Sequence, residues 1–214
     1  MIAISSAFKN AIVAIDINGK KDYCQLDSNA KHAESLLPAL DNLLEKNNVR
    51  LEDNKNYCVI VGPGSFTGLR IGIALVKGLI QGGDEANKIY PITSFDLMAY
   101  SYIKHNHPEN NFTCVLNALS GLFFVCEYDK NGKKIGKERI IDGEELDKID
   151  LLKISLKEEE LTREQVEFTA KDLLEYALIQ EKEGESCLYN ELVPLYLRKS
   201  QAEAALEQKI RQKI

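Results

Sequence analysis

The sequence predicts an α/β protein built on mixed β-sheets with helices on their faces. Three observations support this class. Three short strand-like runs open the chain, and the turn Asn18-Gly19 joins the last two as a hairpin. Strand-like and helix-like runs then alternate up to about residue 104. A second group of three strand-like runs begins at residue 112, so the pattern of the first half recurs.

The first half contains eight predicted elements. In chain order they are the strands 1–6, 11–17 and 20–26, the helix 29–46, the strand 57–61, the helix 66–80, the strand 88–93 and the helix 95–104. Pro38 interrupts the leucine pattern of the first helix, which therefore either begins near Ser35 or is kinked. Gly82-Gly83 ends the second helix, and Ser94 is the predicted cap of the third.

The second half is predicted less completely. After a polar, proline-containing boundary at 105–111, the predicted elements are the strands 112–116, 122–128 and 134–141, the helix 169–181, the extended run 192–197 and a final helix capped by Ser200. Asn131-Gly132 is a turn signal. The acidic region 142–167 supports no prediction. We expect a first lobe at 1–104, with the terminal helix 198–214 packed back on it, and a second, smaller lobe at 105–197.

The order βββαβαβα is that of a ribonuclease-H-like lobe, the building block of the actin, Hsp70 and sugar-kinase fold. The second meander indicates a shorter, degenerate duplicate of the first lobe. The predicted fold is therefore α/β, with two ribonuclease-H-like lobes of unequal size. This analogy concerns the fold and supplies no function by itself.

The composition excludes several classes of protein. Hydrophobic residues make up 44% and charged residues 28%, as in ordinary globular proteins. No apolar run approaches the roughly 20 residues that cross a bilayer, and the first residues lack a secretory pattern, so we predict a cytoplasmic protein with no membrane partner. The net charge of −6 argues against a nucleic-acid footprint over the whole surface. A basic cluster near the end is interpreted as a solvated helix face, with direct tRNA contact as a minor alternative: Arg198, Lys199, Lys209, Arg211 and Lys213.

Cysteine and histidine usage argues against disulfides and against a histidine metal site. The five cysteines are widely spaced, odd in number and without a CxxC pair, so free thiols are predicted. The three histidines form no HxxxH pair on a helix, although sites built from carboxylates remain open. No metal site is predicted.

A glycine-rich turn at 62–64 joins a buried strand to the helix 66–80. Ser65 or Thr67 can cap this helix by accepting a hydrogen bond from a free backbone N–H. A turn of this kind before a helix is also a candidate phosphate cradle. The weak candidates for cofactor binding are Gly62, Gly64, Ser65 and Thr67.

The helix 66–80 is apolar on almost every side and contains three glycines, Gly68, Gly72 and Gly78. Each glycine in a helix interior costs roughly 0.5–1 kcal/mol relative to alanine, so something must compensate. Gly68 and Gly72 share one face and leave a shallow groove for another helix. Two interpretations are open at this point: a core helix packed on its own sheet, or a helix that binds a partner.

The segment GPGSFTGLRIGIALVKGL resembles the signature of the bacterial TsaB (YeaZ) proteins, members of the Kae1/TsaD group in the actin-like ATPase superfamily. Three further segments in the expected order, 32–44, 90–95 and 194–203, are similar to other parts of that family. Together the similar segments cover most of residues 1–105 and the last 20. TsaD-type enzymes are longer and carry a His-x-x-x-His metal pair, so the chain resembles TsaB more closely.

The resemblance implies a partner role. TsaB proteins bind the transferase TsaD, are joined by TsaE, and support transfer of a threonylcarbamoyl group to N6 of an adenosine in tRNA. TsaD holds the metal and performs the chemistry. The resemblance therefore implies no catalytic residue and no cofactor in this chain, ATP or ADP only in the TsaD-containing complex, a homodimer when alone, and only indirect contact with tRNA.

The resemblance also places the partner surface on the first-lobe helices. The groove at Gly68 and Gly72 would receive a partner helix, and the first helix would complete a four-helix arrangement. The predicted interface residues are His32, Ala33, Leu36, Leu40, Leu43, Phe66, Gly68, Leu69, Gly72, Ile73 and Val76.

The chain departs from the family pattern where nucleotide chemistry would need polar groups. The first strand ends with Ser5 in place of an aspartate, and Asn117, Leu119 and Leu122 replace polar or charged residues in the second lobe. Asp16 is interpreted as a strand-end residue rather than a substitute. The alternative function is an actin-like or kinase-like ATPase acting on its own, which needs a carboxylate on the first strand of each lobe. A protease is a further alternative, but no Ser/His/Asp or Cys/His group is evident.

Overall fold

A computed structural model describes residues 1–27, 31–80 and 86–198 of the chain. The elements in these ranges are β1 (Ile2–Ser5), β2 (Ile12–Ile17), β3 (Lys20–Gln25), α1 (His32–Asn47), β4 (Asn56–Gly62), α2 (Phe66–Ile80), β5 (Lys88–Thr93), α3 (Ser94–Asn106), β6 (Phe112–Asn117), β7 (Leu122–Tyr128), β8 (Arg139–Asp142), α4 (Gly143–Asp147), β9 (Leu152–Leu156), β10 (Glu164–Val166) and α5 (Ala170–Glu183).

Two five-stranded sheets share one topology. The first has the order β3-β2-β1-β4-β5 and the second the order β10-β9-β6-β7-β8. In each, the first strand pairs antiparallel with the hairpin that follows it and parallel with a later strand. The second copy is reduced, because α4 has 5 residues where α1 has 16. The predicted fold of two ribonuclease-H-like lobes, the second degenerate, is confirmed.

Both faces of the first sheet are covered by helices. One face packs against α1 and α2 in a cluster that includes Ile2, Ile4 and Val76. The other face packs against α5, whose Leu173 and Ala177 are fully buried. Since α5 belongs to the second half of the chain, the two halves interlock. The domain boundaries given above remain a prediction.

In the first lobe the structure confirms the predicted hairpin turn and corrects two predicted helix starts. Asn18 and Gly19 form the hairpin turn with φ values of 53° and 76°. The first helix begins at His32 and contains Pro38, so a start near Ser35 is wrong. Ser94 is not the cap of α3: the Thr93 hydroxyl accepts the Asp96 N–H at 3.0 Å. The Ser94 hydroxyl instead donates to the Pro63 carbonyl at 2.6 Å, which ties α3 to the glycine-rich turn.

The second lobe differs more from expectation. The third strand of its meander begins at Arg139 rather than 134, and Lys134 forms only an isolated bridge with Tyr128. The acidic region 142–167 contains α4, β9 and β10. The run 192–197 belongs to no strand, and one hydrogen bond, from Leu195 N–H to Val61 O at 2.8 Å, links it to the first sheet; an extended conformation there stays a prediction.

Two predictions lie outside the described ranges: the Gly82-Gly83 stop, and the helix 198–214 beyond Arg198 with its Ser200 cap. The predicted start of the first helix at Asn29 is wrong, because Lys31 is extended and the helix begins at His32. All five cysteines are free, as predicted. Within the described part of the chain, no helix combines the length and the apolarity required to cross a membrane.

Candidate functional site

A cleft of about 1350 Å³ lies between the two lobes. The first lobe contributes the loop after β1, the turn before α2 and the first turns of α2. The second lobe contributes the end of β6, the loop that follows it, and the acidic pair Glu158 and Glu159. The segment 195–198 lines the cleft as well.

The turn before α2 is packed against the loop that follows β1. Ser65 N–H donates to the Ala7 carbonyl at 2.8 Å, and the Ser65 hydroxyl accepts the Gly68 N–H at 3.2 Å. Ser65 is therefore the cap, one of the two predicted. A Cβ on Gly64 would lie 2.7 Å from the Ala7 carbonyl oxygen. These contacts already use backbone donors that a phosphate would need, which favours a structural role for the turn.

Of the four cofactor candidates, Gly64, Ser65 and Thr67 line the cleft. Gly62 does not line it, and a Cβ there would lie 2.8 Å from the Leu195 carbonyl oxygen. A nucleotide-binding role for these residues stays a prediction.

Neither topologically equivalent strand, β1 or β6, ends in a carboxylate. Ser5, at the end of β1, is fully buried, and its hydroxyl has no hydrogen-bond partner among the described protein groups. Asn117, at the end of β6, uses its side-chain oxygen to accept the Leu119 N–H at 2.7 Å. In the ranges that the structure covers, no three His, Cys, Asp or Glu residues form a group that could hold a metal ion.

The loop after β6 has an unusual backbone. Leu119, Ser120 and Gly121 have φ values of 64°, 56° and 75°. Left-handed backbone costs a residue with a side chain roughly 1–2 kcal/mol, so two consecutive non-glycine residues must be held by their surroundings. The Glu159 carboxylate accepts the Asn117 N–H at 3.1 Å, and the Arg198 guanidinium donates to the carbonyls of Ala118 and Leu119.

Glu159 is the titratable group in this cleft with a resolved shift. Burial raises the pKa of its carboxyl to about 7, the hydrogen bond from Asn117 N–H opposes the rise, and the neighbouring Glu158 carboxylate adds to it. The folded protein therefore binds a proton at Glu159 more tightly than the unfolded chain does. Stability contributed by this group is present at low pH and declines as pH rises through about 7.

We expect Glu159→Gln to be more stable than the wild type at pH 8, by about 1 kcal/mol after allowance for partial solvent screening. At pH 5 the difference should be small, because the wild-type carboxyl is then largely protonated. Urea denaturation at both pH values measures this. Glu109→Gln removes an exposed carboxylate and is the control. A stability gain that is independent of pH would contradict the assignment.

The predicted interface residues are mostly buried in the protein's own core. These buried residues are Leu36, Leu40, Leu43, Gly68, Leu69, Gly72, Ile73 and Val76. The predicted groove is wrong, because Ser6 of the same chain occupies it: a Cβ on Gly68 would lie 1.9 Å from the Ser6 carbonyl oxygen, and one on Gly72 would lie 2.5 Å from the Ser6 hydroxyl. Ala33 and Phe66 are exposed, and His32 is half-buried with Nε2 3.1 Å from the Lys9 carbonyl.

The opposite side of α2 is the surface that faces outward. We define the outer face as Thr67, Ile71, Ala74 and Gly78 of α2 together with Leu37 of α1. These α2 residues recur every three or four positions, and all are exposed except Ile71, which is half-buried. Leu37 is 45% exposed. Sequence reasoning missed this face, although its signal was the second set of small residues in α2.

Two ribonuclease-H-like lobes around a cleft define a protein of the actin-like ATPase class. A family model described as TsaD, tRNA N6-adenosine threonylcarbamoyltransferase, matches residues 27–182. The chain therefore belongs to the TsaD family.

Curated relatives carry the name tRNA threonylcarbamoyladenosine biosynthesis protein TsaB. The protein from Haemophilus influenzae is 25% identical over 58% of this chain and 52% of its own length. The protein from Escherichia coli is 27% identical over 64% of this chain and 59% of its own length. The matches thus span little more than half of these relatives.

Solved structures show the same fold. YeaZ from Pseudomonas aeruginosa aligns with a TM-score of 0.73 at 21% identity, over 92% of this chain and 98% of its own. A structure described as an uncharacterized protein with similarity to peptidase YEAZ, from the same organism, aligns with a TM-score of 0.74 at 21% identity and the same coverage.

Proposed function

We propose that this chain is a non-catalytic subunit in the synthesis of tRNA N6-threonylcarbamoyladenosine, and that it binds and activates a TsaD-type transferase in the cytoplasm. A TsaE-type ATPase is the third member of the assembly. The chain forms a homodimer when alone, and it contacts tRNA indirectly. ATP or ADP binds in the TsaD-containing complex rather than to this chain by itself.

The observation that carries this proposal is the pair of equivalent strand ends at Ser5 and Asn117. Enzymes that transfer phosphoryl groups hold their magnesium ions through carboxylates, and neither strand end offers one. The names of the curated relatives support the pathway. A protein with this fold and without those carboxylates is suited to act through a partner.

The outer face supports the choice of partner surface. Gly78 lies in α2, where a glycine costs roughly 0.5–1 kcal/mol relative to alanine. The part of the chain that the structure describes provides no packing reason, since a Cβ at Gly78 would have none of its heavy atoms within 4 Å. At Gly68 and Gly72, by contrast, a Cβ would overlap Ser6 of the same chain, which explains why glycine is needed there. A glycine that the described residues do not require is consistent with the close approach of a helix from another protein.

Gly78→Arg should abolish co-purification with the TsaD-type transferase of the same organism without lowering the melting temperature. A Cβ at Gly78 meets no described heavy atom within 4 Å, and a long arginine side chain there would block a helix that approaches α2 closely. In cells depleted of this protein, threonylcarbamoyladenosine in tRNA hydrolysates should fall. The wild type should restore it, and Gly78→Arg should not.

Gly136→Arg is the matched control, because Gly136 also has open space at its Cβ position but lies in the second lobe. It should bind the transferase and restore the modification. Normal binding by Gly78→Arg would refute the interface, and normal modification in depleted cells would refute the pathway. Steady ATP turnover by the purified chain would favour the independent ATPase instead.

A further inference from the structure

Residues 192–198, which we call the strap, connect the two lobes alongside the cleft. The strap begins in the first lobe, where Leu192 is 1% exposed within the core that includes α1 and α2. Leu195 N–H then donates to the Val61 carbonyl at 2.8 Å, at the end of β4. These two contacts fix the first part of the strap to the first sheet.

A ring contact fixes the middle of the strap to α2. The Tyr196 ring stacks on the Phe66 ring, with centroids 4.5 Å apart and an interplanar angle of 17°. The Arg70 guanidinium lies over the same Phe66 ring at 5.4 Å. Phe66 is the first residue of α2, so the stack joins the strap to the part of the helix that lines the cleft.

The end of the strap belongs to the second lobe. Leu197 packs against the core formed by α3, β6 and β9. Arg198 donates to the carbonyls of Ala118 and Leu119, in the loop whose backbone is left-handed from Leu119 to Gly121. Within the described ranges Arg198 makes no salt bridge, so its guanidinium is committed to this loop.

We propose that the strap is a latch across the cleft: it holds the first lobe, through Phe66, to the loop 117–121, and its release opens the cleft. Two features support a latch rather than a passive linker. The strap is fixed by a few separable contacts rather than by a strand ladder. The loop that it holds has a backbone conformation that residues with side chains rarely adopt, so it depends on the groups that hold it, and Arg198 of the strap is one of them.

The test compares hydrogen exchange in the loop for variants at the two ends of the latch. In the full chain, Arg198→Met and Tyr196→Ala should each accelerate amide exchange in a peptide covering 117–122 by at least ten-fold. The ring of Tyr196 stacks on Phe66 of the first lobe, so we expect its effect on the loop to travel through the strap. Tyr196→Phe keeps the ring and should behave as the wild type. Arg139→Met, which removes an exposed ion pair with Glu127, is the second-lobe control.

Opening of the cleft is measured separately. The chain contains no tryptophan, so Phe124→Trp places a single reporter at a residue that lines the cleft. When they are added to Phe124→Trp, Arg198→Met and Tyr196→Ala should each increase the quenching of tryptophan fluorescence by acrylamide at least two-fold. The melting temperature should be retained.

Faster loop exchange in Arg198→Met but not in Tyr196→Ala would overturn the latch, because Arg198 would then act only on its own loop. Unchanged quenching in both variants would overturn it too, since the cleft would not have opened. If Arg198→Met unfolds, Tyr196→Ala decides the question alone, because Tyr196 is 44% exposed and outside the core.

Discussion

Gly68→Ala is expected to destabilise the protein by about 3 kcal/mol or more, a large effect for the addition of one methyl group. The new Cβ would lie 1.9 Å from the Ser6 carbonyl oxygen and 3.1 Å from the carbon that bears it. Both groups are backbone, so no side-chain rotation relieves the overlap. Relief requires α2 to move away from the end of β1, which would break the hydrogen bond from the Ser6 hydroxyl to the Gly68 carbonyl.

Urea denaturation of Gly68→Ala and Gly78→Ala measures this effect against a control in the same helix. At Gly78 a Cβ has open space, so alanine should raise the free energy of unfolding by roughly 0.5–1 kcal/mol through helix propensity. The two substitutions are chemically identical and should have opposite signs. A loss below about 1 kcal/mol at Gly68 would contradict the close packing of α2 on β1.

Lys104→Met is expected to cost about 2–3 kcal/mol, because it leaves a carboxylate buried without its counter-ion. Asp172 is 1% exposed and lies 2.8 Å from the Lys104 ammonium, which also contacts Glu175. This cluster joins α3 to α5, so it holds α5 where that helix covers the first sheet. Thermal or urea unfolding measures the loss.

The free energy of unfolding measured at acidic pH tests the same cluster. Burial alone would raise the pKa of the Asp172 carboxyl, but hydrogen bonds from Lys104 and Thr169 outweigh burial and lower it. The resulting stability is present above the ordinary aspartate pKa and is lost as pH falls through the lower folded-state value. Without Lys104 the pKa of Asp172 should rise, so acidification should cost Lys104→Met less stability than the wild type, and the difference in free energy of unfolding between the two should shrink as pH falls.

Lys171→Met is the control for this cluster. Lys171 is 61% exposed and 3.9 Å from Glu175, so its removal should change the free energy of unfolding by less than about 0.5 kcal/mol. The double variant Lys104→Met, Asp172→Asn should recover part of the loss, because no buried charge is then left unpaired. If Lys104→Met and Lys171→Met lose the same free energy of unfolding, burial of the Lys104–Asp172 pair does not contribute to stability.

Sequence signals that act over a few residues, such as turns and helix caps, were sufficient to predict much of the first lobe. Asn18-Gly19 adopts positive φ at both positions, as a tight hairpin requires, and Ser65 caps α2 from the adjacent position. The region 142–167 was not predictable in the same way. Its strand β9 is short and charged at its flanks, and it is a strand because β6 pairs with it in parallel from far away in the chain.

The sequence by itself determined the order of the elements in the first lobe, the duplication of the lobe, the loss of carboxylates at Ser5 and Asn117, and the presence in α2 of more glycine than a helix tolerates without compensation. Only the tertiary structure decided what each glycine faces: Ser6 of the same chain at Gly68 and Gly72, and open space at Gly78. It also decided that residues 192–198 cross between the lobes. The reason is physical: helical periodicity records which residues share a face, whereas the group that approaches a face depends on the path of the whole chain.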